Sequence, residues 1–125
     1  MKVVILGATE KPDRFAYRAQ RMLMDHGFET VPISLRGDDV LGQVGYSSMS
    51  EIPAESRPIH TVTVYVNPTR FEPLIDEIIE ISPTRVIFNP GTESSAAMKK
   101  LSDAGIHVVE ACTLILLQDG EFESA

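Results

Sequence analysis

Short uninterrupted apolar runs alternate along this chain with stretches whose apolar residues recur at helical spacing. That alternation restricts the fold more than any other feature of the sequence. The run Val3-Val4-Ile5-Leu6 holds no polar residue, as expected of a central strand covered on both faces. Beyond it, Asp13 is placed to cap a helix over Arg14 to His26, with Phe15, Ala19, Met22 and Leu23 on its apolar side and Gly27 at the C′ position. Phe28 to Ile33 is a second strand. Ser34 to Pro58 is a long crossover in which Ser48 and Glu51, at capping-box spacing, predict one short helix ahead of Ile52. Thr61 to Val66 alternates Val with Thr and Tyr, which predicts a less buried strand at the edge of the sheet. Thr69 and Glu72 repeat the capping-box spacing before the helical stripe Phe71, Leu74, Ile75, Ile78 and Ile79, which Pro83 ends. Arg85 to Phe88 is a fourth strand, Glu93 to Ala104 a helix closed by Gly105, and Ile106 to Val109 a fifth strand.

Repeated βα units of this kind predict an α/β chain built on a Rossmann-like, doubly wound parallel sheet of about five strands in the order 3-2-1-4-5. With 125 residues, 43% of them hydrophobic, the chain has the length and apolar content of one domain spanning residues 1–125. The net charge of −7 opposes nucleic acid and anionic membranes as partners, since both require a basic surface. It leaves room for a small anionic ligand in a local basic pocket. A single cysteine forms no internal disulfide, and the expected location is the cytoplasm. The opening apolar run is too short for a signal-peptide core, and no stretch approaches the roughly 20 apolar residues of a membrane span.

Ligands of such sheets bind outside the carboxyl ends of the strands where the order reverses, expected here between strands one and four. The loop Gly7 to Arg14 turns tightly from a buried strand into a helix. Gly7 permits close backbone approach, and the amides at the helix start, the Thr9 hydroxyl, Lys11 and Arg14 together suit a pyrophosphate. Arg14, Arg18 and Arg21 share one helix face, with a ligand role expected of Arg14 alone and Lys11 in support. The loop is neither a Walker A sequence nor G-x-G-x-x-G. The acidic residue that NAD sites carry after the second strand is replaced by Ser34, Leu35 and Arg36. Arg36 suits a phosphorylated ribose, which both NADP and coenzyme A possess, and equally suits a solvent-exposed loop charge. Asn67 and Pro68 follow the third strand and Gly91 the fourth. Gly7 and Gly91 are expected to face one another across the crevice, where a side chain at Gly7 would block the ligand and spare the fold.

The segments Gly7-Ala8-Thr9 with Pro12, Val40-Leu41-Gly42, Tyr46 to Pro53, and Ala104 to Val109 running into Cys112 resemble, in order and spacing, the small stand-alone CoA-binding domain proteins. These are similar to the CoA-binding domain of the succinyl-CoA synthetase alpha subunit. The resemblance covers most of the chain and implies coenzyme A or an acyl-CoA as ligand. It also implies a cysteine, here Cys112, near the thiol end. Ser34-Leu35 stands where the family usually has Asn-Pro, and Asn89-Pro90-Gly91 where it often has Gln-x-Gly. The synthetase domain that supplies a phosphorylated histidine has no counterpart, so the resemblance implies binding without ligase activity. No catalytic residue is assigned, and the scattered His26, His60 and His107 suggest no metal site. A small NADP-binding oxidoreductase or redox sensor is the alternative, and a ligandless scaffold for a protein partner a third. A homo-oligomer is left open.

Overall fold

The computed structural model describes residues 1–125. Five parallel strands form one sheet: β1 (Lys2–Leu6), β2 (Glu29–Ile33), β3 (Thr61–Val64), β4 (Arg85–Phe88) and β5 (His107–Glu110). Five helices accompany them: α1 (Phe15–Asp25), α2 (Pro68–Phe71), α3 (Ile75–Ile81), α4 (Ser95–Asp103) and α5 (Thr113–Gln118). The strands pair so that Val31, Val4, Val62, Val86 and Val108 lie in one row across the sheet. This row and the Ile33, Leu6, Val64 and Phe88 row pack with Phe71, Ile75, Ile78 and Leu101 of α2, α3 and α4. The opposite face packs Val3, Ile5 and Ile87 against Ala16, Leu23, Leu117 and Phe122. Both faces are therefore covered, as the apolar β1 run requires.

The expected fold class holds, and the strand order differs from expectation. It is β2-β1-β3-β4-β5 rather than 3-2-1-4-5, so β3 is central and β2 is an outer strand. Pro32 accounts for the position of β2. Its carbonyl faces outward and accepts from the Tyr46 amide at 3.1 Å, and the missing proline N–H would have pointed to that same side. The threonines that gave β3 its half-polar pattern are buried. Thr61 accepts from Arg85 Nε at 3.1 Å, and Thr63 from Asn89 Nδ2 at 2.7 Å. Internal partners satisfy these hydroxyls, so the alternation marks a polar network inside the protein.

Other local differences have equally specific causes. The 3-10 turn Glu72–Leu74 separates α2 from α3 because Pro73 supplies no amide to a continuous helix. Asn67, not Thr69, caps α2, its Oδ1 accepting from the Arg70 amide at 2.9 Å. Ahead of Ile52 stands a 3-10 turn, Met49–Glu51, in which Glu51 accepts from the Ser47 amide and hydroxyl. Phe15, assigned to the apolar side of α1, is 65% exposed, while Ala16, Ala19, Gln20 and Leu23 face the core. As the first residue of α1, Phe15 stands above the strand ends, and the small Ala16 lets the helix approach the sheet. The helix α5 follows the last strand directly and had no counterpart among the sequence expectations.

Candidate functional site

β1 ends at Leu6 and the chain turns at once, with Gly7 at φ +96°. The Gly7 and Ala8 amides both donate to the Ile33 carbonyl at 2.9 Å, so they hold the turn to β2 and are not open to a ligand. A Cβ on Gly7 would lie 2.9 Å from Val66 Cγ1 and 3.1 Å from the Tyr65 carbonyl oxygen. A side chain there collides with the end of β3. The expectation that such a substitution would spare the fold is thereby corrected.

Open donors lie further along the loop. Phe15, Ala16 and Tyr17 begin α1, and their amides have no acceptor within the chain. Arg14, at the N-cap position, makes no side-chain bond to them. The contrast with α4 is clear, because there Ser94 Oγ accepts from the Ala97 amide. An uncapped helix of eleven residues thus directs its N–H groups and the positive end of its dipole into open space.

That space is a cavity of about 470 Å³. It lies at the carboxyl ends of β1 and β3, where the sheet order reverses, and not between strands one and four as expected. Its walls come from Gly7, Thr9, Lys11, Arg14, Phe15 and Ala16 on one side, and from Tyr65, Val66, Asn67, Pro90, Gly91 and Thr92 on the other. Two cations and no acid line it, in a chain of net charge −7. Gly7 and Gly91 do share this cavity. The Gly91 amide donates to Glu93 Oε1 at 2.8 Å, so Gly91 contributes room and no free donor.

A buried polar network forms the floor. Asn89 Nδ2 donates to Thr63 Oγ1 at 2.7 Å and to the Val64 carbonyl at 2.9 Å, and Asn89 Oδ1 accepts from the Thr113 amide at 2.9 Å. Thr63 and Thr113 hydroxyls meet at 2.8 Å. β3, the residue after β4 and the start of α5 are thereby tied together beside the site. Burial pushes the Tyr65 phenol above them up to about 12, so it remains neutral throughout the physiological range.

Two smaller cavities adjoin the first. One, of about 390 Å³, shares Thr9 and Lys11 with it and adds Ala8, Ser34 and Arg36 together with Glu10 and Asp38. Arg36 there is 84% exposed and pairs with Asp38 at 3.3 Å. Ser34 Oγ accepts from the Gly37 amide at 3.1 Å. The other, of about 130 Å³, is enclosed by Phe15, Tyr65, Asn89, Pro90, Cys112 and Leu114. Cys112 is a free, half-buried thiol immediately before α5. Pro12 and Pro68 line none of these three walls, and Pro68 occupies the first position of α2, where its ring suits a helix start.

Sequence reasoning brought Gly7, Thr9, Lys11, Arg14, Asn67 and Gly91 to one cavity, and Ala8, Ser34 and Arg36 to its neighbour. Phe15, Tyr65, Val66, Asn89, Pro90 and Thr92 were missing from that set. The signal for three of them was present, since Asn89, Pro90 and Thr92 belong to the loop after β4 that a switch-point ligand would meet.

The sheet order and the helices on both its faces define a Rossmann-like α/β class of protein. Residues 1–118 match the model of the family described as CoA binding domain, and the chain belongs to that family. It is 24% identical over 108 residues to the uncharacterized protein YneT of Bacillus subtilis (strain 168), a match covering 86% of this chain and 78% of that protein. A crystal structure of an uncharacterized protein is similar at 38% identity and a TM-score of 0.85, covering 97% of each chain. The dinucleotide forming acetyl-coenzyme A synthetase 1 of Ca. Korarchaeum cryptofilum shares the fold, at 15% identity and a TM-score of 0.74, over 88% of this chain and 25% of that one. No helix of the chain is long and apolar enough to cross a membrane.

Proposed function

We propose that the chain binds coenzyme A or an acyl-CoA, with the pyrophosphate at the turn from Gly7 into α1 and the pantetheine running toward the Gly91 loop. One observation carries this reading: the uncapped start of α1 opens, beside Lys11 and Arg14, into an acid-free cavity at the β1/β3 switch point. A pyrophosphate bound there gains helix amides, the Thr9 hydroxyl and two cations, each interaction charge-assisted. The adenosine end, with its ribose phosphate, falls to the adjoining cavity of Ala8, Ser34 and Arg36, where the guanidinium exchanges Asp38 for phosphate. Asn67 contributes a polar side chain to the cavity wall, Pro12 and Pro68 stiffen the two loops, and Cys112 lies beyond Pro90 at the thiol end. The chain is assigned binding alone, with no catalytic residue.

NADP shares the pyrophosphate and ribose phosphate, so direct competition between ligands is the appropriate test. Calorimetric titration with CoA, NADPH and ATP should show CoA binding most tightly. Tighter binding of NADPH would replace this function with the redox alternative, and no binding of any nucleotide would leave a scaffold for a protein partner.

A further inference from the structure

The cavity of about 130 Å³ beside Cys112 adjoins the main cavity, and Phe15, Tyr65 and Pro90 line both. It is mostly apolar, and no charged residue lines it. Its volume is well below the roughly 300 Å³ at which sites for whole small molecules begin, and corresponds to about four water-sized groups at about 30 Å³ each. It therefore suits the end of a ligand whose body lies next door. Asn89 is the one amide in its wall, and both its Nδ2 hydrogens and its Oδ1 are already engaged by Thr63, Val64 and Thr113. No charged side chain in the wall is there to neutralise a carboxylate. Tyr65 stays neutral because burial holds its phenol far above physiological pH.

We infer that this cavity is an acyl subsite selecting a short, uncharged acyl group: the chain prefers an acetyl- or propionyl-class CoA thioester to free CoA, to long-chain acyl-CoA and to acyl groups ending in a carboxylate. This rests on the CoA reading of the main cavity and adds the class of acyl group to it. An acyl group entering past Phe15, Tyr65 and Pro90 exchanges water for Leu114, Pro90 and two aromatic rings. Each buried carbon should tighten binding about fourfold. Beyond three or four carbons the acyl group exceeds the space available, whose wall includes the buried Leu114. A terminal carboxylate would enter a mostly apolar space with no charged partner, a costly transfer.

The test compares dissociation constants for CoA, acetyl-CoA, propionyl-CoA, octanoyl-CoA and succinyl-CoA by calorimetry. Propionyl-CoA, with two apolar carbons buried, should bind about fifteenfold more tightly than CoA, with octanoyl-CoA and succinyl-CoA no tighter than CoA. Leu114→Ala should move the optimum to a longer acyl group. Since Leu114 is buried and its loss can compromise folding, Phe15→Ala provides a second variant at an exposed position. It should bring the ratio of propionyl-CoA to CoA affinity close to one. Equal affinities for CoA, acetyl-CoA and octanoyl-CoA in the unaltered protein would place the acyl group in solvent and overturn the inference while leaving CoA binding intact. Failure of all five ligands to bind would overturn both.

Discussion

Arg14 and Arg18 stand one helical turn apart on α1 and meet different surroundings. Arg14 lines the main cavity, whereas the Arg18 guanidinium lies over the Phe15 ring at 5.5 Å from its centroid, outside the cavity wall. Spacing along the helix groups Arg14, Arg18 and Arg21 on one face, yet distance from the helix start separates their roles, because dipole and free amides act only within the first turn. Arg14→Ala should weaken CoA binding about tenfold, or about 1.5 kcal/mol, as expected for one charge-assisted contact. Arg18→Ala should cost less than about threefold in the same titration, consistent with a weak exposed cation–π contact. Equal losses would move the phosphate site away from the helix start.

At the level of elements, the site depends on how β3, β4 and α5 are joined beneath it. Asn89, which directly follows β4, binds β3 through Thr63 and Val64 and α5 through Thr113, and each of those partners lies inside the protein. Asn89→Ala removes three hydrogen bonds and strands the buried Thr113 amide, while the Thr63 and Thr113 hydroxyls keep each other as partners. Unfolding in urea should show a loss of about 2–3 kcal/mol, since the unpaired N–H is desolvated without compensation. A neutral result would mean that water replaces the amide and that the floor of the site is wet. The helical stripe after β3 illustrates a second point at this scale. Its apolar periodicity holds from Phe71 to Ile78, but Pro73 divides the backbone into α2, a 3-10 turn and α3. Periodicity specifies which side faces the core, and the proline decides how the backbone gets there.

Across the whole molecule, a buried relay runs under the sheet at the end opposite the site. Arg85 is 2% exposed, and its Nε donates to Thr61 Oγ1, which in turn contacts His60 Nδ1 at 2.7 Å. The Thr61 hydroxyl, already accepting from Arg85, is free to donate to a neutral His60. Burial, and then the nearby Arg85 charge, hold His60 below its ordinary value of 6.5. The unfolded chain thus takes up this proton at a higher pH than the folded one. Stability is full above about pH 7 and falls as the pH drops through the unfolded value near 6.5 toward the folded one. The melting temperature should decline between pH 7 and 5, and less steeply in His60→Asn, which keeps an acceptor and loses the titration. Identical slopes would exclude His60 as the source. The sequence alone was sufficient for the α/β class, for the strand segments and for the loops that carry the site, because hydrophobic period, caps and glycine turns act over a few residues. The CoA-binding family was legible too, through segments such as Gly7-Ala8-Thr9 and Tyr46 to Pro53 that keep their order and spacing. The tertiary structure alone decided that β3 lies between β1 and β4, that Phe15 leaves the core for the cavity mouth, and that the six residues of α5 form a helix. Strand pairing, the burial of Thr61 and Thr63 and the walls of a cavity depend on residues far apart in the chain, and no local pattern encodes which of them will meet.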